Sequence, residues 1–250
     1  MIFRKAILLV HGFAGGIYDY GTLGNDLQLY LDFDVYTFTL PGHEKTIISK
    51  VTKADWIKAA ENQIETLINR GYKRIYVIGH SMGGVIACHL AKKYPQVKKL
   101  ILAAPAFRYF KFKNDKFDLI ASLKQAPNII KDYSLETVLS RFFKVPVNTI
   151  KEFMELVKEH YNDPKSITCP TLIIQGNNDR VVPIESAKYV HNAIKSDVNY
   201  LFTMDNVTHD VFTSPRKEEI TNMVTKFLRN TYIPKKINKS WPITFIYSIS

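Results

Sequence analysis

Short apolar runs alternate along this chain with longer segments in which apolar residues recur every three or four positions. The runs Ala6–Val10, Val35–Leu40, Arg74–Ile78, Lys99–Ala103, Thr171–Gln175 and Asn199–Thr203 are mostly rich in Ile, Leu and Val and show little polar alternation. A half-buried strand alternates, whereas a strand covered on both faces does not. These runs therefore predict strands of a mostly parallel sheet. Between Thr52 and Arg70, residues Ile57, Ala60, Ile64, Leu67 and Ile68 recur at helical spacing, and Gly71 follows as a stop. Further helices are predicted from Ser81 or Met82 to about Tyr94, over Ile184–Lys195, and over Pro215–Asn230, where Pro215 suits a first turn. Strands alternating with helices predict an α/β fold built on a doubly wound sheet of about six strands.

The alternation breaks between Pro105 and Pro170. That segment has no good strand but several short helical patterns, with Phe107, Tyr109, Phe110, Phe112, Phe117, Phe142, Phe143 and Phe153. Structureless stretches of that length are uncommon inside compact domains. Residues 106–169 are therefore expected to form a helical cap, inserted into a core made of residues 1–105 and 170–232. Plain packing of these aromatics on the core is the competing reading. In the tail, residues 233–250, Lys235, Lys236 and Lys239 lead into Trp241-Pro242-Ile243-Thr244-Phe245-Ile246-Tyr247. The tail reads as an extra edge strand or a disordered end. Weak membrane contact is the lesser reading, since the tail is too short to span a bilayer as a helix.

The strongest chemical signal is Gly79-His80-Ser81-Met82-Gly83-Gly84, directly after a predicted strand and opening a predicted helix. A serine alcohol attacks poorly unless a base takes its proton. A tight strand-to-helix turn lifts the serine out at the sheet edge, and the flanking glycines make room for the strained backbone. A phosphate-binding loop is the rival, but G-x-G-x-x-G is absent. The triad order in such folds is Ser, then Asp or Glu, then His. Asp179 follows the strand Thr171–Gln175, and His209 follows the last strand. Asp179 also reads as a turn residue capping the next helix. His191, inside a predicted helix, reads as a surface residue, and His160 falls in the cap segment. Asp205 and Asp210 flank His209 too closely in sequence to orient its ring. The loop His11-Gly12-Phe13-Ala14-Gly15-Gly16 follows the first strand. Its Phe13 amide and that of Met82 are the candidate oxyanion donors, while His11 reads as a structural hydrogen-bonding residue.

Composition narrows the rest. The formal net charge is +11, yet the lysines are scattered and no nucleic-acid motif accompanies them, so a dispersing surface is expected and no nucleic-acid partner. Two cysteines, Cys88 and Cys169, make no disulfide framework. The N-terminal apolar run is too short for a signal peptide. Together these predict a cytoplasmic protein. None of His11, His43, His80 and His209 has a spacing such as H-E-x-x-H, so no metal or cofactor is expected.

With His11-Gly12-Phe13, Pro41-Gly42-His43, the Gly79–Gly84 motif, Asp179 with Val182-Pro183, and His209, the chain resembles the α/β-hydrolase superfamily. Within it, the chain is similar to small bacterial carboxylesterases and monoacylglycerol lipases, over about residues 5–230. The resemblance implies hydrolysis of a small acyl ester through an acyl-serine, a helical cap, and no cofactor. The chain departs from the pattern in lacking the first two strands and in having Thr208 where Gly commonly precedes the catalytic His. An acyltransferase, a thioesterase or a terminal peptidase would use the same triad, and a non-catalytic binding protein would keep only the pocket.

Overall fold

In the computed structural model, residues 4–44, 49–108, 145–230 and the short strands 112–113, 116–117 and 243–246 are described. The predicted runs become β1 (Lys5–Val10), β2 (Asp34–Thr37), β3 (Arg74–His80), β4 (Val97–Ala103), β7 (Thr171–Gly176) and β8 (Asn199–Met204). The short β5 (Phe112–Lys113) and β6 (Lys116–Phe117) form a separate antiparallel pair where no strand is predicted. The tail contributes β9 (Ile243–Ile246). The main sheet runs β2-β1-β3-β4-β7-β8-β9. Its first six members are parallel, and β9 is antiparallel to β8, with Phe202 opposite Phe245. The tail thus supplies an extra edge strand to the expected sheet.

The lack of alternation in the strands has its cause in two cores. Ala6, Leu8 and Val10 face one, whereas Ile7 and Leu9 face the other. The first core packs under α2 (Lys53–Asn69), α3 (Met82–Lys93), α4 (Val147–His160) and α5 (Ile184–Ala193). The second packs under α1 (Leu23–Tyr30) and α6 (Lys217–Asn230). Helix α2 starts with a capping box in which the Thr52 hydroxyl accepts from the Asp55 amide, and Gly71 beyond its end adopts φ 89°. Helix α1 was not legible. Only Leu23 and Leu27 are buried in it, Leu29 and Tyr30 are exposed, and Gly24 and Asn25 are poor helix formers.

Two boundaries shift for local reasons. Strand β2 stops at Thr37 rather than Leu40, and the Leu40 amide donates instead to His11 Nε2 at 2.9 Å. Helix α6 begins at Lys217, two residues beyond the predicted Pro215. Lys99 is buried rather than part of the solvated surface. Its ammonium donates to the carbonyls of Phe227 and Leu228 near the end of α6, and burial pushes its pKa down to about 8. Cys88 and Cys169 are free, and Cys88 is buried as a small apolar residue. Among the described residues, no helix is long and apolar enough to cross a membrane.

In the 106–169 segment, the described elements are β5, β6, α4 and a short turn at Asp163–Ser166. Residues 118–144, with Phe142 and Phe143, lie outside the described residues, as do Tyr109 and Phe110. The strand order places β2 on one side of β1 and β3 with β4 on the other. The chain leaves β1 and β3 in opposite directions, which opens a crevice at their carboxyl ends.

Candidate active site

All the sequence-predicted site residues lie at the carboxyl ends of parallel strands: Phe13 after β1, Ser81 and Met82 after β3, Asp179 after β7 and His209 after β8. Ser81 holds φ 54° and ψ −118°, a conformation costly for any residue with a Cβ. Its surroundings enforce it. The Ser81 amide donates to the Ala103 carbonyl at 2.9 Å, and its own carbonyl accepts from Gly84 at 2.9 Å and Ala106 at 3.2 Å. A Cβ at Gly83 would sit 1.9 Å from the Val10 carbonyl oxygen, so only glycine lets the first turn of α3 close on β1. The N-terminus of α3 then lies behind Ser81 and favours negative charge there.

Asp179 and His209 meet directly. His209 Nδ1 donates to Asp179 Oδ2 at 2.9 Å, and the carboxylate is fully buried. Oδ2 also accepts from Gln175 Nε2 at 2.9 Å, while Oδ1 accepts from the amides of Val181 and Val182 at 2.8 and 2.9 Å. Asp179 shapes its own turn, but it does not cap α5, whose N-cap is Pro183. Asn178 accepts from the Asn206 amide and Asn177 donates to Asp205, which staples the two loops together. Asp205 is thereby engaged away from the imidazole. Imidazole Nδ1 held as donor leaves Nε2 as the basic nitrogen. No hydrogen bond joins Nε2 to the Ser81 hydroxyl, a contact that often forms only with substrate bound. The two loops are joined instead through backbone, because His80 Nε2 donates to the His209 carbonyl at 2.9 Å.

In the loop after β1, Gly12 and Gly16 amides donate to Asp19, Ala14 to His43, and Gly15 to the Gly12 carbonyl. Among the amides of residues 12–16, that of Phe13 has no acceptor among the described residues. The Phe13 ring stacks on Phe153 of α4 at 4.8 Å and meets Trp56 edge-on at 5.8 Å. Phe107 and Phe153, both from the 106–169 segment, are buried in the first core.

His11 bridges two loops as expected of a structural residue. Its Nδ1 donates to the Gly12 carbonyl, and its Nε2 accepts from Leu40. Burial pushes its pKa down to about 4. Unfolded, such a group titrates near 6.5, so the unfolded chain binds a proton first and stability falls with pH between about 6.5 and about 4, by on the order of 3 kcal/mol. His80 and His89, both raised, act in the opposite sense, and Asp19 and Asp163, both lowered, act at lower pH. Urea unfolding at about pH 7.5 and about pH 5 should therefore show a smaller loss of stability on acidification in His11→Gln than in the wild type. An equal loss in both would remove His11 as a source.

Sequence reading missed three buried partners: Asp19, His80 and Gln175. His80 stood inside the motif, but its contacts reach residues distant in the chain. His191 is buried in α5 rather than on the surface. His160 donates to Asp163, remote in role from the triad candidates. Among the described residues, the one cluster with metal-ligand types is His89, His160 and Asp163. Both oxygens of its carboxylate are already engaged, by Lys92 and by His160.

The model of the Hydrolase_4 family, described as serine aminopeptidase, S33, matches residues 3–216. The chain belongs to that family. Among its relatives, the carboxylesterase of Bacillus subtilis (strain 168) is 27% identical over 234 residues, covering 90% of this chain and 92% of the relative. The thermostable monoacylglycerol lipase of Bacillus sp. (strain H-257) is 25% identical over 224 residues, covering 81% and 82%. A solved structure described with LipS and LipT, two metagenome-derived lipolytic enzymes, superposes with a TM-score of 0.71 at 20% identity, covering 91% of this chain and 94% of that one. The fold of this Hydrolase_4 member is the α/β-hydrolase fold.

Proposed function

We propose that the protein is a serine hydrolase that cleaves carboxylic esters through an acyl-serine intermediate. The observation that carries this reading is the His209–Asp179 hydrogen bond, held at the same sheet edge as a left-handed Ser81. His209 Nε2 takes the proton of Ser81 as Oγ bonds to the ester carbonyl carbon. Asp179 fixes the imidazole and stabilises the imidazolium. The amides of Phe13 and Met82 receive the oxyanion. The imidazolium then returns its proton to the leaving alcohol as the carbon–oxygen bond breaks. Water, activated by the same nitrogen, releases the acid.

The named activities of the carboxylesterase and monoacylglycerol lipase relatives support an ester as substrate. The family description favours a second reading, a peptidase acting on a free N-terminus. That activity needs acidic groups at the site to hold an amine. Asp115, Asp118, Asp132 and Glu136 lie outside the described residues, and Glu152 accepts from the Lys53 amide at the start of α2. Residues 106–169 serve in this reading as a cap whose apolar side chains meet the acyl chain. A cytoplasmic location belongs to the same reading, supported by the free cysteines.

The test is a hydrolysis profile across p-nitrophenyl esters of increasing acyl length, with thioester and aminoacyl-amide controls. Each buried methylene contributes about 0.8 kcal/mol, or roughly fourfold in affinity. Ester turnover should therefore climb with acyl length until the site is filled. Faster cleavage of aminoacyl amides than of any ester would replace the esterase reading with the peptidase one.

A further inference from the structure

Behind Ser81 lies a second Asp–His pair that the mechanism above does not use. His80 Nδ1 is 3.4 Å from Asp19 Oδ2, and both side chains are 4% exposed. His80 Nε2 is 2.9 Å from the His209 carbonyl oxygen. A carbonyl only accepts, so Nε2 carries a hydrogen. Asp19 already accepts from two fixed donors, the amides of Gly12 at 3.2 Å and Gly16 at 3.3 Å. An ionised carboxylate also accepts a third, from Nδ1. With Asp19 ionised, both ring nitrogens carry hydrogen, and the pair is an imidazolium against a carboxylate.

We infer that Asp19 and His80 form a buried ion pair that positions the catalytic loops, holding the base-bearing residue His209 and the oxyanion-loop residue Gly12 from one hub behind Ser81. This rests on the esterase reading of the site. A buried pair of this kind adds little net stability over apolar replacements, so its value lies in what it orients. The sequence leaves space for it. A Cβ at Gly15 would meet Asp19 Oδ2 at 2.1 Å, and one at Gly12 would meet His80 Nδ1 at 3.2 Å and Ser81 Cβ at 3.1 Å.

Burial opposes both charges, but the bond and the attraction between the partners offset it. His80 is held above the usual histidine range and Asp19 below the usual carboxylate range. The other groups facing the pair come from several elements. The His209 ring lies 4.9 Å from that of His80, with Asp210 on the same loop, and Phe212 packs edge-on at 6.4 Å. His11 lies on the β1 side, and the Tyr20 hydroxyl is engaged by the Val10 and Ile78 carbonyls.

The hub acts on two fixed points. The His209 ring is held by Asp179 and its carbonyl by His80, so the whole residue is set relative to Ser81. With Gly12 and Gly16 tied to Asp19, the intervening Phe13 amide is left for the oxyanion. Asp19 and His80 are positioning residues, since neither touches the reacting atoms.

The test uses the full chain carrying Asp19→Asn, His80→Gln and both together. Active sites are titrated with a fluorophosphonate, and kcat and KM are read separately on a p-nitrophenyl ester. Misplacement by about 1 Å costs on the order of 10²-fold in rate. Each single variant should lose about that in kcat with KM little changed, and the double variant should lose no more than the worse single, because the two act as a unit. Lowered thermal stability with unchanged kcat per titrated site would make the pair merely structural and overturn the proposal, as would losses that multiply in the double variant. If the variants fail to fold, the wild type decides by NMR of its ¹⁵N-histidine-labelled form. Two protonated ring nitrogens on His80 at neutral pH support the pair, and a neutral tautomer overturns it. A Ser81→Ala protein that kept full activity would sink the esterase reading while leaving that NMR signature untouched.

Discussion

Ser81→Ala is expected to abolish ester hydrolysis, by about 10⁴-fold or more in kcat, while the protein stays folded. The folding half of this expectation follows from the backbone. Ser81 already occupies a left-handed conformation with a Cβ present, and alanine keeps that Cβ. The amide and carbonyl bonds to Ala103, Gly84 and Ala106 do not involve the hydroxyl. Ser81→Gly makes the companion test. It should be equally inactive but more stable than Ser81→Ala by about 1–3 kcal/mol, since glycine relieves the strain. Thermal melting and initial rates on one preparation check both halves. Activity within tenfold of wild type, or a fluorophosphonate adduct on any residue other than Ser81, would place the nucleophile elsewhere.

The parallel sheet was legible because strands buried on both faces leave a simple mark, a run without alternation. The neighbours Leu8 and Leu9 are both apolar because they point to opposite faces of β1, and each face packs under helices. Helix α2 was legible to within a residue at each end because its apolar stripe and the stop at Gly71 agree. Helix α1 carries a stripe of two residues only and gave no period. The nucleophile candidate was legible because strain at Ser81 forces glycine at Gly79 and Gly83, a local requirement with a local signature. Chain order then pointed to Asp179 and His209, and the structure brings their side chains together. The hub of Asp19 and His80 was not legible. It joins residues 61 and 129 positions apart, and such contacts follow from topology rather than from any period or spacing. The β9 strand, four residues long and antiparallel, was one of several readings of the tail because nothing in its pattern sets its partner.

Asp179→Asn is expected to lower kcat by about 10⁴-fold with the fold retained, because it changes the tautomer of His209. All four groups around the Asp179 carboxylate are donors: the amides of Val181 and Val182 on Oδ1, and Gln175 Nε2 and His209 Nδ1 on Oδ2. An asparagine presents one oxygen and one NH₂ group to that set. Its oxygen is best placed facing the two backbone amides, which cannot change role. Its NH₂ then faces His209, and Nδ1 can accommodate it only as an acceptor. The imidazole proton moves to Nε2, the nitrogen that takes the proton of Ser81 in the proposed mechanism, and that base is lost without any shift in position. Gln175 Nε2 is left facing a second donor, so a modest loss of stability should accompany the loss of rate. The opposite placement would set the NH₂ against two fixed amides and costs more. Kinetics on a p-nitrophenyl ester, melting temperature and histidine ¹⁵N shifts should be measured on the same variant. A folded Asp179→Asn protein with His209 still protonated on Nδ1 and kcat within tenfold of wild type would remove Asp179 from the triad.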